Sequence, residues 1–223
     1  KQGRVLSFEI FPPKFDDELK DIDETLGLLC ELKPDYISVT FGAGGSSNNN
    51  KTIRLARKIK DEYGVEPVVH LTCLHYDKAE VDNFCREIAD AGIENILALR
   101  GDINPERPPK NDFLYASDLI DYIKKNADFH ISAACYPESH LDSPDFISDI
   151  RHLKEKQDAG AEHMISQLFF DNDLFYNFLE KARIAGITVP IEAGIMPVTN
   201  KKSIERMVSM CGASLPAKFT RIM

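Results

Sequence analysis

The segment NILALRGD (Asn95–Asp102) is an apolar run that ends in an arginine, a glycine and an aspartate. Six similar apolar, β-rich runs recur at intervals of about thirty residues. They are VLSFEIF (Val5–Phe11), YISVTFG (Tyr36–Gly42), VVHLTC (Val68–Cys73), HISAACYP (His130–Pro137), HMISQLFF (His163–Phe170) and VPIEAGI (Val189–Ile195). Helical patterns lie between them, among them Glu18–Leu32, Lys51–Tyr63, Lys78–Ala91 and Phe146–Ala159. Strands and helices that alternate at this period predict βα units around a parallel sheet.

Nearly every predicted strand ends in a polar or ionisable side chain. These side chains belong to Glu9, Thr40, His70, Arg100, Asp102, Tyr136, Gln167 and Glu192. In a (β/α)8 barrel the carboxyl ends of all strands open onto one face, and active sites of this fold lie there. The sequence therefore predicts an α/β fold, a TIM barrel with one shared site at its top.

The number of strands falls one short of that fold. A (β/α)8 barrel has eight strands and typically about 250 residues, whereas the 223 residues contain seven predicted strands. The segment after Met207 does not have the pattern of another βα unit. We therefore expect residues 1–223 to form a single catalytic barrel domain that lacks its last βα unit, within a longer natural chain. A doubly wound open sheet is the alternative, but it would leave the first strand without the neighbour that closes a barrel.

Composition excludes several classes of partner. The net charge is −9 and no basic stripe is present, which argues against nucleic acid. An acidic surface also repels anionic membranes. The five cysteines are scattered without a CxxC pair, and no apolar run has membrane length. We therefore expect a cytoplasmic protein with no nucleic-acid or membrane partner.

Glu9 is a candidate general acid. Strand alternation places it inward, on the same face as Ser7 and Phe11. A carboxylate inside a barrel is costly unless it is paired or functional, and desolvation raises its pKa towards neutrality. A structural ion pair with a neighbouring strand is the alternative.

The end of the fourth strand predicts an anion-binding element. Alternation places Arg100 and Asp102 on one face, and Gly101 allows a ligand to approach the backbone closely. Arginine is a natural donor to phosphate or carboxylate, although a surface pair of Arg100 with Asp102 is the alternative. The segment GAGGSS (Gly42–Ser47) follows the second strand but lacks the GK[ST] of a Walker loop, so it is a weak nucleotide signature.

Other polar motifs leave their roles open. HLTCLH (His70–His75) has metal-like spacing, but alternation separates His70 from Cys73, so we predict no metal site and a hydrogen bond from His70 to a bound ligand. Tyr136 could cover a planar ligand. Gln167 either satisfies a core neighbour or recognises the edge of a heterocycle. One helix face carries Asp149, His152 and Lys156, a pattern that by itself favours a solvated surface.

Eight segments together resemble a known family. FEIFPPK, SVTFGAGG, HLTC, NILALRGD, YASDL, AACYPESH, LKEKQDAGAEHMISQLFFD and GIMPV occur in this order over almost the whole chain. They resemble the methylenetetrahydrofolate reductase family, specifically its catalytic barrel of bacterial type. The resemblance implies a flavoprotein and oxidoreductase of one-carbon metabolism and methionine biosynthesis. It would reduce 5,10-methylenetetrahydrofolate to 5-methyltetrahydrofolate, with FAD as the hydride carrier.

The resemblance also implies roles for individual residues. Glu9 would be the general acid, Asp102 would lie between the flavin and the folate pterin, and Gln167 would contact the substrate. The implied FAD contacts are Thr40, Ala43, His70, Arg100, Gly101, Asp102, Tyr115, Ala116, Tyr136, His140, Asp149, His152 and Lys156. The implied substrate contacts are Glu9, Thr40, Asp102, Gln167 and Ser203. A homo-oligomer is expected.

The chain departs from the family pattern at a few positions. Ser203 and Met207 stand where a glutamine and a phenylalanine are expected, and His152 replaces an asparagine. Glu192 and Ala193 replace an apolar residue and a proline. These departures leave the electron donor open among NADH, NADPH and a redox partner protein. Two other functions compete: a lyase that uses Glu9 and Asp102 as acid and base, and a non-catalytic flavin- or folate-binding subunit of a larger redox complex.

Overall fold

The computed structural model describes residues 3–12, 19–41, 46–104 and 107–216. Strands and helices alternate along this part of the chain. The strands are β1 (Ser7–Ile10), β2 (Tyr36–Val39), β3 (Glu66–Thr72), β4 (Asn95–Leu99), β5 (His130–Cys135), β6 (His163–Ser166) and β7 (Ile191–Glu192). The helices are α1 (Leu19–Glu31), α2 (Ser46–Tyr63), α3 (Lys78–Asp90), α4 (Ala116–Asn126), α5 (Phe146–Asp158), α6 (Asn172–Ile184) and α7 (Lys201–Cys211). The predicted βα repeat is confirmed, and closure into an eight-stranded barrel stays a prediction.

The chain divides into two compact units, Lys1–Ile131 and Ser132–Met223. In the first unit β1, β2, β3 and β4 pair in parallel in chain order, with Glu9 opposite Ser38. In the second unit β5, β6 and β7 also pair in parallel, with Ile165 opposite Glu192. Parallel pairing brings the carboxyl ends of neighbouring strands to one edge within each unit.

The strands of the first unit have one apolar face and one face that mixes polar and apolar residues. Alternate residues of β2, β3 and β4 are fully buried: Ile37, Val39, Val69, Leu71, Ile96 and Ala98. Buried aliphatic residues of the helices, such as Ile59 of α2 and Ile88 of α3, belong to the same core. Each such side chain stabilises the fold by about 1.5–3 kcal/mol. The opposite face carries Glu9 and His70 beside the buried Val68 and Leu97, so its ionisable groups stand among apolar neighbours.

The second unit repeats this arrangement. Ala133 and Met164 are fully buried, and Cys135 nearly so. Helix α6 buries Phe178 completely. The residues that alternate with this buried set include His163 and Glu192, so ionisable groups again occupy the other strand face.

Several predicted boundaries were wrong. Strand β4 ends at Leu99, so Arg100 and Asp102 lie beyond it rather than on one strand face. Strand β6 ends at Ser166, which places Gln167 after the strand. Helix α2 begins at Ser46 rather than Lys51. Phe11, expected to face inward, is 70% exposed. Among the described residues, no helix is long and apolar enough to cross a membrane.

Candidate functional site

Glu9 of β1 and His70 of β3 approach each other across β2. Glu9 Oε2 lies 3.5 Å from His70 Nε2. The residue between them is Ser38, which stands opposite Glu9 in the register and is buried. Its small side chain leaves room for the carboxyl group to reach the imidazole. The structure thus brings together two residues that the sequence predicted for one site.

Burial shifts the pKa values of both groups towards their neutral forms. His70 is 5% exposed, and desolvation lowers its pKa to about 4, so the ring is neutral near pH 7. The Glu9 side chain is 51% exposed, yet the protein atoms packed around the rest of it raise the pKa of its carboxyl group. Among the described residues, His70 Nε2 has no hydrogen-bond partner. Glu9 therefore lies beside a neutral ring that does not stabilise its anionic form.

The LRGD segment is tied to the end of β3. The carbonyl oxygen of Arg100 accepts hydrogen bonds from Leu74 N at 2.9 Å and Cys73 N at 3.2 Å. Gly101 has φ = 88°, a conformation that L-residues with side chains rarely adopt, and a Cβ there would stand 3.0 Å from Thr72 Cβ. The Asp102 side chain follows and is exposed. The Asp102 carboxylate therefore directly follows Gly101, whose backbone packs closely against the Thr72 side chain.

The end of β2 is fixed from two sides. Thr40 N donates to Ile10 O at 3.0 Å, and Thr40 O accepts from Thr52 Oγ1 at 3.0 Å. Thr52 is a fully buried residue of α2. Thr40 therefore lies at the same strand edge as Glu9. Ala43, another predicted cofactor contact, lies outside the described residues.

Helix α4 begins beside the end of β3. Asp118 Oδ2 accepts hydrogen bonds from the backbone N–H groups of Leu114 and Tyr115, each at 2.9 Å. Cys73 Sγ lies 3.6 Å from Tyr115 O, which places this helix start against the strand end. The Tyr115 side chain is 59% exposed, whereas Ala116 is buried. The exposed Tyr115 ring can offer an apolar surface to a planar ligand.

A second cluster lies at the end of β5, within the second unit. The rings of Tyr136 and His140 meet edge to face at 4.7 Å. Lys156 Nζ donates to Ala134 O at 2.8 Å and lies 5.9 Å from the Tyr136 ring centroid. Asp149 is buried, and this burial raises the pKa of its carboxyl group. A hydrogen bond from the His140 backbone and the charge of Lys156 oppose that rise.

The helix that carries Asp149 is therefore not a uniformly solvated surface. Asp149 is buried and Lys156 half-buried, while His152 is exposed. The nearby charge of His152 also acts on Asp149. The structure thus places His152 and Lys156 each within electrostatic reach of Asp149, and Lys156 near the Tyr136 ring.

Gln167 is held at the end of β6 by hydrogen bonds with neighbouring residues. Gln167 Oε1 accepts a hydrogen bond from the backbone N–H of Leu168 at 2.8 Å. The backbone N–H of Gln167 donates to Cys135 O at 2.8 Å. Ser166 Oγ donates to Gln167 O at 3.0 Å and accepts from Gly194 N at 2.9 Å. The side-chain oxygen is therefore engaged locally, and the amide NH₂ is the end that can face a ligand.

Glu192 has a partner that the sequence analysis missed. Glu192 Oε2 lies 3.4 Å from His163 Nε2, and His163 Nδ1 lies 3.3 Å from Ser132 Oγ. The Glu192 and His163 side chains are 15% and 16% exposed. No local sequence signal could have found this partner, because it follows from the register that places Glu192 opposite Ile165, two residues from His163. Glu192 thus links β7 to β6 instead of pointing at a ligand on its own.

The two remaining points concern the residues of α7 and a metal site. Ser203 and Met207 lie in α7, and the Ser203 side chain lies outside the described part of the chain. Within the described residues no group of three or more His, Cys, Asp and Glu side chains could hold a metal ion.

Each unit, taken by itself, offers a group suited to part of a flavin dinucleotide. The buried His70 Nε2 would gain a hydrogen-bond partner from a polar ring edge. In the second unit Lys156 offers a cation, suited to a pyrophosphate, beside the aromatic surface of Tyr136.

The chain is similar to methylenetetrahydrofolate reductases over its whole length. It is 38% identical over 217 residues to the 5,10-methylenetetrahydrofolate reductase of Escherichia coli (strain K12), covering 97% of this chain and 72% of that relative. A plant relative, methylenetetrahydrofolate reductase (NADH) 1 of Arabidopsis thaliana, is 37% identical over 241 residues, covering 99% of this chain and 40% of its own length.

Solved structures share the fold at lower identity. A protein from Clostridium thermocellum that binds two copies of 5-methyl-5,6,7,8-tetrahydrofolic acid superposes with a TM-score of 0.68 at 16% identity, covering 96% of this chain and 73% of that one. A phosphoenolpyruvate phosphomutase from Streptomyces platensis subsp. rosaceus gives 0.60 at 13% identity, covering 94% and 80%. These likenesses show a TIM-barrel-like α/β fold.

The family assignment rests on the sequence match. The family model described as methylenetetrahydrofolate reductase matches residues 1–223. Together with relatives at 37–38% identity over nearly the whole chain, this match shows that the chain belongs to the methylenetetrahydrofolate reductase family.

Proposed function

We propose that this protein reduces 5,10-methylenetetrahydrofolate to 5-methyltetrahydrofolate, with FAD as its cofactor and Glu9 as its general acid. The family match over residues 1–223 is the observation that carries this proposal. The polar strand face with Glu9 and His70 supports it chemically, because the reaction needs one proton donor beside a polar ring system. The lyase alternative has no comparable support.

FAD, when bound, supplies the hydride chemistry, while the protein positions and polarises the reactants. In the first unit Thr40, His70, Arg100, Gly101, Tyr115 and Ala116 would contact it. In the second unit Tyr136, His140, Asp149, His152 and Lys156 would do so. Each unit contains one cation suited to a phosphate group in an otherwise acidic protein, Arg100 in the first and Lys156 in the second.

Glu9 would deliver the proton that opens the imidazolidine ring of the folate. The leaving nitrogen, N10, is a very poor leaving group as an anion, so it must be protonated as the C–N bond breaks. A carboxyl group with a raised pKa keeps more of its protonated form near neutral pH. The neutral His70 beside it does not oppose that state.

Asp102 would stabilise the cationic carbon that ring opening creates. Its exposed carboxylate follows Gly101 at the end of β4, where the backbone is held by the end of β3. A preorganised negative charge near a developing positive charge lowers the barrier, and such electrostatic effects are usually a large part of catalysis. Gln167 would contact the substrate through its amide NH₂, and Ser203 is the proposed contact from α7.

The electron donor is proposed to be a reduced nicotinamide. NADH is the first to test, because plant relatives that match this chain carry NADH in their names. The purified protein should be yellow, and its heat-released supernatant should contain FAD. Anaerobic stopped-flow mixing should show flavin bleaching by the donor, then flavin reoxidation by methylenetetrahydrofolate.

Each failure of this experiment has a distinct meaning. A protein that stays colourless after reconstitution with excess FAD contradicts the cofactor assignment. A yellow protein whose chemically reduced flavin is not reoxidised by methylenetetrahydrofolate is a non-catalytic flavin-binding subunit. In a third outcome, NADH and NADPH leave the flavin oxidised, whereas dithionite reduces it and methylenetetrahydrofolate then reoxidises it. That result requires another electron donor.

A further inference from the structure

His75 makes a contact that the proposed mechanism does not use. Its side chain follows β3 and is 9% exposed. His75 Nε2 lies 2.9 Å from the backbone oxygen of Asp102. Because a carbonyl oxygen can only accept, Nε2 must carry the hydrogen. Among the described residues, His75 Nδ1 is buried without a hydrogen-bond partner. An apolar residue would fill this space without leaving such an atom unpaired, so packing alone does not account for the ring.

The backbone of His75 is itself anchored. Arg107 Nη2 donates to His75 O at 3.1 Å, and the Arg107 guanidinium lies 4.3 Å from the Tyr76 ring centroid. On the other side, Lys110 N donates to Leu74 O at 2.8 Å. The backbone carbonyl groups of Leu74 and His75 are thus held by other residues, independently of the contact between the His75 ring and Asp102.

Asp102 needs such an anchor. It follows Gly101, whose missing Cβ gives the backbone more conformational freedom than any other residue allows. The hydrogen bonds from Cys73 and Leu74 end at Arg100 O, on the other side of that glycine. The contact from His75 is a hydrogen bond to the Asp102 peptide itself. It therefore adds a second tie beyond Gly101, next to the hydrogen bond from Arg100 Nε to Gly101 O at 3.3 Å.

We propose that His75 is a positioning residue, which holds the Asp102 backbone so that the Asp102 carboxylate keeps its place during folate reduction. The proposal rests on the proposed function. A misplacement of about 1 Å can cost about 100-fold in rate. Loss of the contact should therefore slow the folate half-reaction, while Arg100 and Gly101, which have their own anchors, continue to bind the cofactor.

Three substitutions of the same residue separate the hydrogen bond from packing. Glutamine places its amide nitrogen the same number of bonds from Cβ as Nε2, whereas asparagine places it at the distance of Nδ1. His75→Leu keeps bulk and removes both nitrogens. We expect His75→Leu and His75→Asn to slow flavin reoxidation by methylenetetrahydrofolate by about 10- to 100-fold. We expect His75→Gln to stay within about threefold of the wild type, and flavin reduction by the donor to change little in all three.

A double-mutant cycle with Asp102→Asn distinguishes positioning from a general structural effect. If His75 acts through the Asp102 carboxylate, His75→Leu should slow the reaction much less once that carboxylate is gone. Equal fold-losses in both backgrounds would overturn the proposal. So would a glutamine variant as slow as the leucine variant.

Hydrogen exchange gives a readout that does not depend on turnover. Amides of Gly101–Asn104 should exchange faster in His75→Leu than in the wild type, and His75→Gln should restore the wild-type rate. Unchanged exchange in the leucine variant would overturn the anchoring. A wild-type protein that fails to reduce folate would overturn the proposed function instead, and this exchange comparison would still decide whether His75 holds Asp102.

Discussion

Glu9 Oε2 and His70 Nε2 lie 3.5 Å apart, on two strands that are separated by β2. Each group is shifted towards its neutral form, since the pKa of Glu9 is raised and that of His70 is lowered to about 4. His70 Nε2 has no hydrogen-bond partner among the described residues, so the neutral ring does not stabilise the carboxylate form of Glu9. Glu9 therefore keeps more of its protonated form near neutral pH than an ordinary carboxyl group does, beside a ring that carries no charge. This arrangement suits a carboxyl group that must give its proton to a substrate.

Glu9→Gln tests the acid directly. Glutamine preserves the shape of glutamate but cannot donate an acidic proton, so flavin reoxidation by methylenetetrahydrofolate should fall by at least about 100-fold. Flavin reduction by the donor should change by less than about threefold, because that half-reaction needs no proton on N10. Stopped-flow absorbance follows each half-reaction, and Glu31→Gln on the exposed end of α1 is the matched control. Comparable loss of both half-reactions would contradict the acid role.

His70 should make the fold sensitive to acid. The pKa of His70 is lowered from 6.5 to about 4 in the folded protein, so between these values the unfolded chain binds more protons. Its contribution to stability is complete above pH 6.5 and is lost as pH falls towards 4, by up to about 3 kcal/mol. The difference in unfolding free energy between wild type and His70→Gln should shrink across this range. Urea titrations at several pH values measure it; a pH-independent difference would argue against a buried neutral ring.

Two glycines should respond oppositely to alanine. Gly101 has φ = 88°, and a Cβ would meet Thr72 Cβ at 3.0 Å, so Gly101→Ala should destabilise the protein by about 1–2 kcal/mol and weaken FAD binding. Gly27 lies inside α1, and a Cβ added there would meet nothing within 4 Å, so Gly27→Ala should stabilise the protein by about 0.5–1 kcal/mol. Thermal unfolding and FAD titration measure both effects. Equal effects at the two positions would contradict the conformational argument.

The sequence predicted the order of strands and helices because the spacing of apolar residues along the chain is a local pattern. It placed strand ends too late at β4 and β6, because the sequence does not show where strand pairing stops. At β4 pairing stops because Arg100 O turns to accept from Leu74 N, and Gly101 takes a positive φ. At β7 only two residues pair, and Pro190, just before them, has no N–H to donate.

The sequence predicted individual site residues where a reactive or polar side chain stands at the end of a strand. It did not predict the residues that they contact. Glu9 and His70 could be assigned to one strand face each, but their contact spans two strands and depends on the small Ser38 between them. The contact of His75 with Asp102 joins residues 27 positions apart. Such partners follow from sheet register and loop geometry, which no local pattern contains.

The cysteines should divide into two reactivity classes. Cys73, Cys85 and Cys135 are buried, and desolvation raises their pKa values to about 12, 11 and 12. Thiolates are the reactive form, so these three should resist a thiol reagent in the folded protein. Cys30 and Cys211 are partly exposed and should react first. Titration with Ellman's reagent, before and after denaturation, should release colour in these two stages. Rapid reaction of Cys135 in the native protein would contradict its burial.

Lys156 and Lys154 offer a matched pair on one helix. Lys154 pairs with Asp158 one turn further along α5, whereas Lys156 Nζ contacts Ala134 O and lies near the Tyr136 ring. If Lys156 binds the FAD pyrophosphate, Lys156→Met should lose a charge-assisted hydrogen bond of about 1.5–3 kcal/mol and weaken FAD binding by about 10- to 100-fold. Lys154→Met should leave FAD affinity within about twofold, because a surface pair contributes little. Fluorescence titration of the apoprotein with FAD measures both, and equal affinities in the two variants would remove Lys156 from the cofactor site.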